Sequence, residues 1–143
     1  MKCSDVMTKD PKACAATDTV EQAAQLMKSE DVGPIPIVGD SGKLEGIITD
    51  RDIVLKVVAE GRDAKTTKLA DVMTTDLISC TVDGDIEEML DLMEDNQIRR
   101  IPVVDASGRL VGIVSQADIA TRLDEPDKTA ELVEDISKAA ASH

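Results

Sequence analysis

The sequence predicts an α+β fold made of two copies of one β-α-β-β-α unit. Three observations predict it. Asp5–Ile53 laid over Asp71–Ile119 at a shift of 66 aligns without a gap, with about nineteen identical positions, which marks an internal duplication. Within each copy, apolar residues recur first at helical and then at strand spacing. Each copy also closes on the same junction, Gly46-Ile47-Ile48-Thr49-Asp50-Arg51-Asp52-Ile53 in the first and Gly112-Ile113-Val114-Ser115-Gln116-Ala117-Asp118-Ile119 in the second.

Each copy opens with a short helical or turn segment around Asp5-Val6-Met7-Thr8 or Asp71-Val72-Met73-Thr74, followed by a brief strand near Cys14–Ala16 or Ile78–Thr81. A helix comes next. In the first copy Thr19 and Gln22 suit a capping box, and Val20, Ala23, Ala24 and Met27 recur at helical spacing; in the second, Asp85 with Glu88 precedes Ile86, Met89, Leu90 and Met93. Two strands follow, Ile35–Val38 with Leu44–Ile48 and Ile101–Val104 with Leu110–Val114, each pair joined by a Ser-Gly turn. Pro34, Pro36 and Pro102 fall at strand starts, where a missing N–H does least harm. A second helix starts after Thr49 or Ser115, and the two helices of a copy can cover one face of a three-stranded sheet. The predicted boundaries are 1–58 for the first repeat, 59–68 for an exposed polar linker, 69–123 for the second repeat and 124–143 for a C-terminal helical tail. In that tail Ala130, Leu132, Val133, Ile136 and Ala140 form an apolar stripe.

Composition narrows the function classes. The net charge of −13 is spread along the chain and disfavours binding to nucleic acid or an anionic membrane through bulk electrostatics. Phe, Tyr and Trp are absent, so no aromatic ring stacks on a base and the core is aliphatic. No apolar run approaches the length of a membrane helix, and Met1–Asp5 lacks a secretory apolar core, so the expected location is cytoplasmic. Cys3, Cys14 and Cys80 form no metal-binding Cys pair and read as reduced, buried thiols. The single histidine, His143, cannot supply a triad or a multi-His metal site. Neither a metal nor an enzymatic activity is expected, because Asp and Thr at helix starts provide no activated nucleophile.

The junctions carry the chemistry. A strand that delivers a hydroxyl residue to a helix N-terminus leaves free backbone N–H groups and a partial positive charge, which can hold an anion such as phosphate. Thr49 with Asp52 and Ser115 with Asp118 equally suit a capping box.

The duplicated unit, the Ile35-Pro36-Ile37-Val38 and Ile101-Pro102-Val103-Val104 strands and the two Gly-Ile-(Ile/Val)-(Thr/Ser)-x-x-Asp motifs together resemble a tandem pair of cystathionine-β-synthase (CBS) domains, a Bateman module. The resemblance spans about Lys2 to Leu123. It is strongest to small stand-alone bacterial two-CBS proteins, with which Thr49–Val54 and Gln97–Arg100 agree well. It implies two repeats packed about a pseudo-twofold axis, leaving clefts that bind adenosine nucleotides, and a tendency to form homodimers. On that resemblance Asp52 and Asp118 accept hydrogen bonds from ribose hydroxyls, and Thr49 and Ser115 contact ribose or phosphate. The base rests near Cys14, Ala15, Pro34, Ile35, Cys80 and Ile101, and Arg99 and Arg100 serve phosphate. Gly33 and Pro34 stand where the second repeat has that arginine pair, so unequal sites are expected, the better one combining Arg100, Ser115 and Asp118 with Val32–Ile35.

The implied function is a ligand-sensing, energy-sensing regulatory module that binds AMP, ADP or ATP and acts on a separate partner protein. The competing readings are a dimeric adaptor that binds no nucleotide, and a thiol- or metal-responsive protein that uses Cys14 and Cys80.

Overall fold

The computed structural model describes residues 1–115 together with Asp118 and Ile119; the predicted tail at 124–143 lies outside them. The chain divides into two compact units. One is built from Met1–Pro11, Ile78–Ala106 and the residues from Leu110 onward, the other from Lys12–Leu77 with Ser107–Arg109. Among the described residues no helix is long and apolar enough to cross a membrane.

In the first unit the strands β1 (Thr8–Lys9), β4 (Cys80–Thr81), β5 (Arg100–Val104) and β6 (Leu110–Ser115) form one sheet in the order β1-β6-β5-β4. β5 and β6 are antiparallel with Arg100 opposite Ser115 and Ile101 opposite Val114, while β4 runs parallel to β5. The helix α3 (Ile86–Asn96) packs Ile86, Met89, Leu90 and Met93 against Ile101, Val103 and Val114, with Cys3, Val6, Met7, Cys80 and Ile119 completing the core. An all-aliphatic sequence can only build this core from branched and thioether side chains, which fill space without demanding a polar partner.

The second unit holds the hairpin β2 (Ile35–Val38) and β3 (Leu44–Ile48), antiparallel with Ile35 opposite Ile48. Single bridges extend it on both sides, Cys14 beside Ile37 and Thr74 beside Ile47. The Cys14 N–H donates to the Pro36 carbonyl at 3.0 Å and the Val38 N–H to the Cys14 carbonyl at 2.9 Å. Pro36 therefore meets Cys14 through its carbonyl alone, and its missing N–H falls where the bridge begins. The helix α1 (Val20–Glu30) buries Val20, Ala23 and Met27 on this hairpin, whereas Ala24, expected on the apolar face, is exposed at its flank.

Both long helices end alike. Asp31 and Gln97, one repeat apart, take left-handed backbone angles (φ 54° and 53°), and the next residue's N–H reaches back to Met27 or Met93 at 3.0 Å. The apolar Val32 and Ile98 then fold onto the cores, as expected at a left-handed helix stop. At the start of α1 the predicted Thr19–Gln22 capping box is present. Asp85 caps α3 through the Glu87 N–H at 3.2 Å rather than forming the predicted box with Glu88; a short aspartate side chain is satisfied one position earlier.

The connection 59–68 is not simply an exposed linker. Thr67 is buried, and the carbonyls of Thr67 and Ala64 accept the N–H groups of Val20 and Glu21, both at 3.0 Å, which satisfies donors that the first turn of α1 would otherwise leave unpaired. After α2 (Asp50–Ile53) the chain continues as a π-helix, Val54–Val58, that buries Val57 and leaves Val54, Leu55 and Val58 exposed.

The first unit exceeds the expected three strands with four in one sheet, and the second holds a two-stranded hairpin flanked by single bridges, because each leader segment joins a hairpin. Thr8 pairs with Ile113, and Thr74 pairs with Ile47 through two 2.9 Å hydrogen bonds. The leader of the first repeat thus lies on the hairpin of the second, and the leader of the second lies on the hairpin of the first. The motif glycines make this possible. A Cβ at Gly46 would stand 3.0 Å from the Thr74 carbonyl oxygen and 2.9 Å from Met73 Sδ, and one at Gly112 would run into the Met7 side chain.

Gly46→Ala and Gly112→Ala should therefore each cost about 1–3 kcal/mol, because the Thr74 backbone is pinned to Ile47 and Met7 is a core residue whose Cβ would itself crowd the new methyl. Urea denaturation of both variants checks this; no loss at either position would contradict the packing.

Candidate functional site

Each repeat ends its hairpin in a hydroxyl residue, and in both units that residue locks onto the aspartate three positions on. In the second unit the Thr49 Oγ1 accepts the Asp52 N–H at 3.0 Å and the Thr49 N–H donates to Asp52 Oδ2 at 3.1 Å. The remaining carboxylate oxygen pairs with Lys56 Nζ at 3.3 Å, four residues along the helix, and Lys56 also donates to the Val72 carbonyl at 3.1 Å. Lys56 thus offsets the charge of Asp52. Asp50 lies against Gly33, where a Cβ would be 3.0 Å from its carboxylate, so this junction presents a negative group where a phosphate would need a positive one.

In the first unit Asp118 Oδ2 accepts from the Ser115 N–H at 3.0 Å and from the Ser115 hydroxyl at 3.1 Å, and the Asp118 N–H donates to Ser115 Oγ at 3.3 Å. The Thr8 hydroxyl adds long bonds to both carboxylate oxygens, 3.3 and 3.4 Å. Arg100 is half-buried directly across the ladder from Ser115, and Arg99 is exposed beside it. The Asp118 carboxylate is held by donors from Ser115 and Thr8, and Arg100 on the neighbouring strand offers a cation to an attached anion. Hence the structure brings Arg100, Ser115 and Asp118 together in one unit and Thr49 and Asp52 together in the other.

The predicted base contacts fare differently. Ile35 and Ile101 are 1% and 0% exposed, inward residues of β2 and β5, so their side chains offer no face to a ligand and that expectation is corrected. Cys14 and Cys80 are likewise core residues. Ala15 is half-buried with its N–H already bonded to Asp18 at 2.9 Å, and Pro34 is half-buried just before β2. Sequence reasoning missed Thr8 as a partner of Asp118 and Lys56 as a partner of Asp52. The signals were a threonine at the same place in both leaders and the i, i+4 spacing of Asp52 and Lys56.

All three cysteines are free and buried. Burial is the main reason each thiol's pKa is raised, with Asp18 adding to the effect at Cys14. The thiol beside Cys80 is that of Cys3, and Cys14 belongs to the core of the second unit. Among the described residues no cluster of three or more His, Cys, Asp or Glu could hold a metal ion. A surface cavity of about 380 Å³ in the second unit, lined by Leu55, Lys56, Glu60, Arg62, Asp71 and Val72, carries charges of both signs.

The CBS domain model matches residues 3–59 and 69–125. Hypoxic response protein 1 of Mycobacterium tuberculosis (strain ATCC 25618 / H37Rv) is 40% identical over 121 residues, covering 85% of this chain and 84% of that protein. The crystal structure of Hypoxic Response Protein I with two coordinated zinc ions superposes with a TM-score of 0.79 at 39% identity, over 86% of this chain and 99% of the other. The CBS domain pair of protein MJ0100, solved with 5-methylthioadenosine and S-adenosyl-L-methionine, matches at a TM-score of 0.74 and 30% identity, over 85% and 94%. The cytosolic domain of the Mg2+ channel MgtE, solved with ATP, matches at 0.73 and 30% identity, over 85% of this chain and 48% of that one.

The buried thiols set a pH dependence. Their pKa values are raised above the ordinary 9.0, so below pH 9 both folded and unfolded chains keep the protons and the stabilising contribution is whole. Above pH 9 the unfolded chain sheds protons that the folded chain retains, and stability should fall as pH rises. Denaturant melts at pH 8, 9.5 and 10.5 should show this decline, shallower in Cys14→Ala; an unchanged slope in that variant would count against a thiol origin.

Proposed function

We propose, from the premise that this chain belongs to the CBS-domain family, that it is a ligand-sensing regulatory module whose ligand is an adenosine nucleotide bound at the Ser115–Asp118 junction. The observation that carries the reading is the Asp118 carboxylate, held by Ser115 with Arg100 across the ladder. In this reading Asp118 accepts the two ribose hydroxyls, displacing the long bonds from Thr8, while the Ser115 hydroxyl and Arg100 take a phosphate and Arg99 assists from outside. The ligands bound to the MJ0100 pair and to the MgtE domain all contain adenosine, which supports this ligand class. Thr49 and Asp52 form the weaker site, because Lys56 occupies Asp52 and Asp50 faces Gly33.

The module acts in the cytoplasm as a homodimer, and its output is a separate protein. A second copy of the chain is the occupant that suits the exposed Val54, Leu55 and Val58, at 55%, 48% and 68% exposure. Arg51 and Lys56 flank this strip along with Asp50 and Glu60, so the same surface carries both charges and can face itself across a twofold axis. Nucleotide binding regulates only through a difference in affinity between two states of such an assembly.

Isothermal titration with AMP, ADP and ATP tests the ligand. Asp118→Asn and Arg100→Met should each weaken the preferred nucleotide by roughly tenfold or more, equivalent to about 1.4 kcal/mol, while Asp52→Asn changes it little. Absence of binding by any of the three at millimolar concentration would overturn the reading. Light scattering tests the dimer: Val58→Asp should convert it to a monomer, and a wild type that is already monomeric would remove the homodimer.

A further inference from the structure

The leader segment that brings Thr8 to Asp118 begins at a cysteine, and that cysteine lies against another. The Cys3 N–H donates to the Gly84 carbonyl at 3.0 Å and the Ser4 N–H to the Val82 carbonyl at 3.3 Å, which lays the 3-10 turn Cys3–Asp5 along the chain that leaves β4. Cys3 is wholly enclosed and Cys80, on β4, is nearly so, in the same apolar cluster. Their thiols are near enough to perturb each other's ionisation, and a Cβ on Gly84 would stand 3.6 Å from Cys3 Sγ. Two thiols in one core cluster, on segments about 77 positions apart, constitute a second chemical site that neither junction uses.

We propose that Cys3 and Cys80 form an intrachain disulfide under oxidation, stapling the leader to β4 and so fixing the segment that carries Thr8. The oxidant is a hydroperoxide. The Cys3 thiolate attacks the terminal peroxide oxygen, an S–O bond forms as the O–O bond breaks, and the alkoxide leaves with the Cys3 proton as an alcohol. The Cys80 sulfur then attacks Cys3 Sγ, the S–S bond forms, and the sulfenic hydroxyl leaves with the Cys80 proton as water. Two thiols and one hydroperoxide thus become one disulfide, one alcohol and one water. Cys3 is the attacking residue because it sits on the leader, whose opening brings its sulfur toward solvent, while Cys80 stays on β4. Access requires opening of the leader, which is held to the β4 side by the Cys3 and Ser4 N–H groups, by the Ile86 N–H on the Met1 carbonyl and by the Lys2–Asp83 ion pair, so the reaction is slow and selective.

The test uses the reduced full-length chain treated with tert-butyl hydroperoxide, quenched in acid, alkylated and mapped without reductant. Free thiols should fall from three to one, with a single Cys3–Cys80 cross-linked peptide and Cys14 alkylated. Cys14→Ser should form the same link, and Cys3→Ser should not. The oxidised chain should melt roughly 5 °C or more above the reduced one, reversibly with dithiothreitol. Links that contain Cys14, links between chains, or oxidation that stops at a single sulfur with Cys80 still free would overturn the proposal. The deciding peptide map is made on the wild type, so it stands even where the Cys3→Ser chain fails to fold. The outcome is independent of whether any nucleotide binds.

Discussion

The antiparallel pairing of each leader with the last strand of the other repeat's hairpin is the contact on which the rest depends. Thr8 on Ile113 and Thr74 on Ile47 give those edges a hydrogen-bonded neighbour, and each leader adds core residues, Val6 and Met7 in one unit, Leu69 and Val72 in the other. Without the leaders each hairpin would expose an open edge and one side of an aliphatic core. The close approach leaves no room for side chains at Gly46 and Gly112, which accounts for the glycine that opens each junction motif. It also puts Thr8 within reach of Asp118, so the same contact that closes the fold shapes the candidate site.

Local signals were legible. Ile35–Val38 and Leu44–Ile48 form the predicted strands, and Thr19, Thr49 and Ser115 meet their predicted partners, because capping and strand alternation involve residues only a few positions apart. The family and the two repeats were legible for the same reason. The leader pairing was not, because Thr8 and Ile113 are far apart in sequence and nothing in either segment states which edge it will meet. The inward orientation of Ile35 and Ile101 was missed because Pro36 and Pro102 are buried as well, so β2 and β5 lack the polar alternation that would reveal a solvent face. The neighbour of Cys80 was missed because symmetry between the repeats suggested Cys14, whereas Cys3 has no cysteine counterpart.

The two junctions share one hydrogen-bond frame and differ in charge. Ser115–Asp118 stands across from Arg100, while the matching place beside Thr49–Asp52 holds Pro34, with Asp50 packed against Gly33. In a chain of net charge −13, a local arginine pair separates a surface that attracts an anion from one that repels it. The frame sets where hydroxyls can be received, and the charges around it set which ligands stay.

The crossed leaders bear on how such a chain could arise. A single repeat, made alone, would leave its hairpin edge bare and its leader without a strand to join. Two identical copies could satisfy both needs by trading leaders, as a domain-swapped dimer does. Joining the copies end to end keeps every pairing while fixing the stoichiometry at one to one. From then on each copy is free to change without its twin changing too, and arginines can be gained on one side alone.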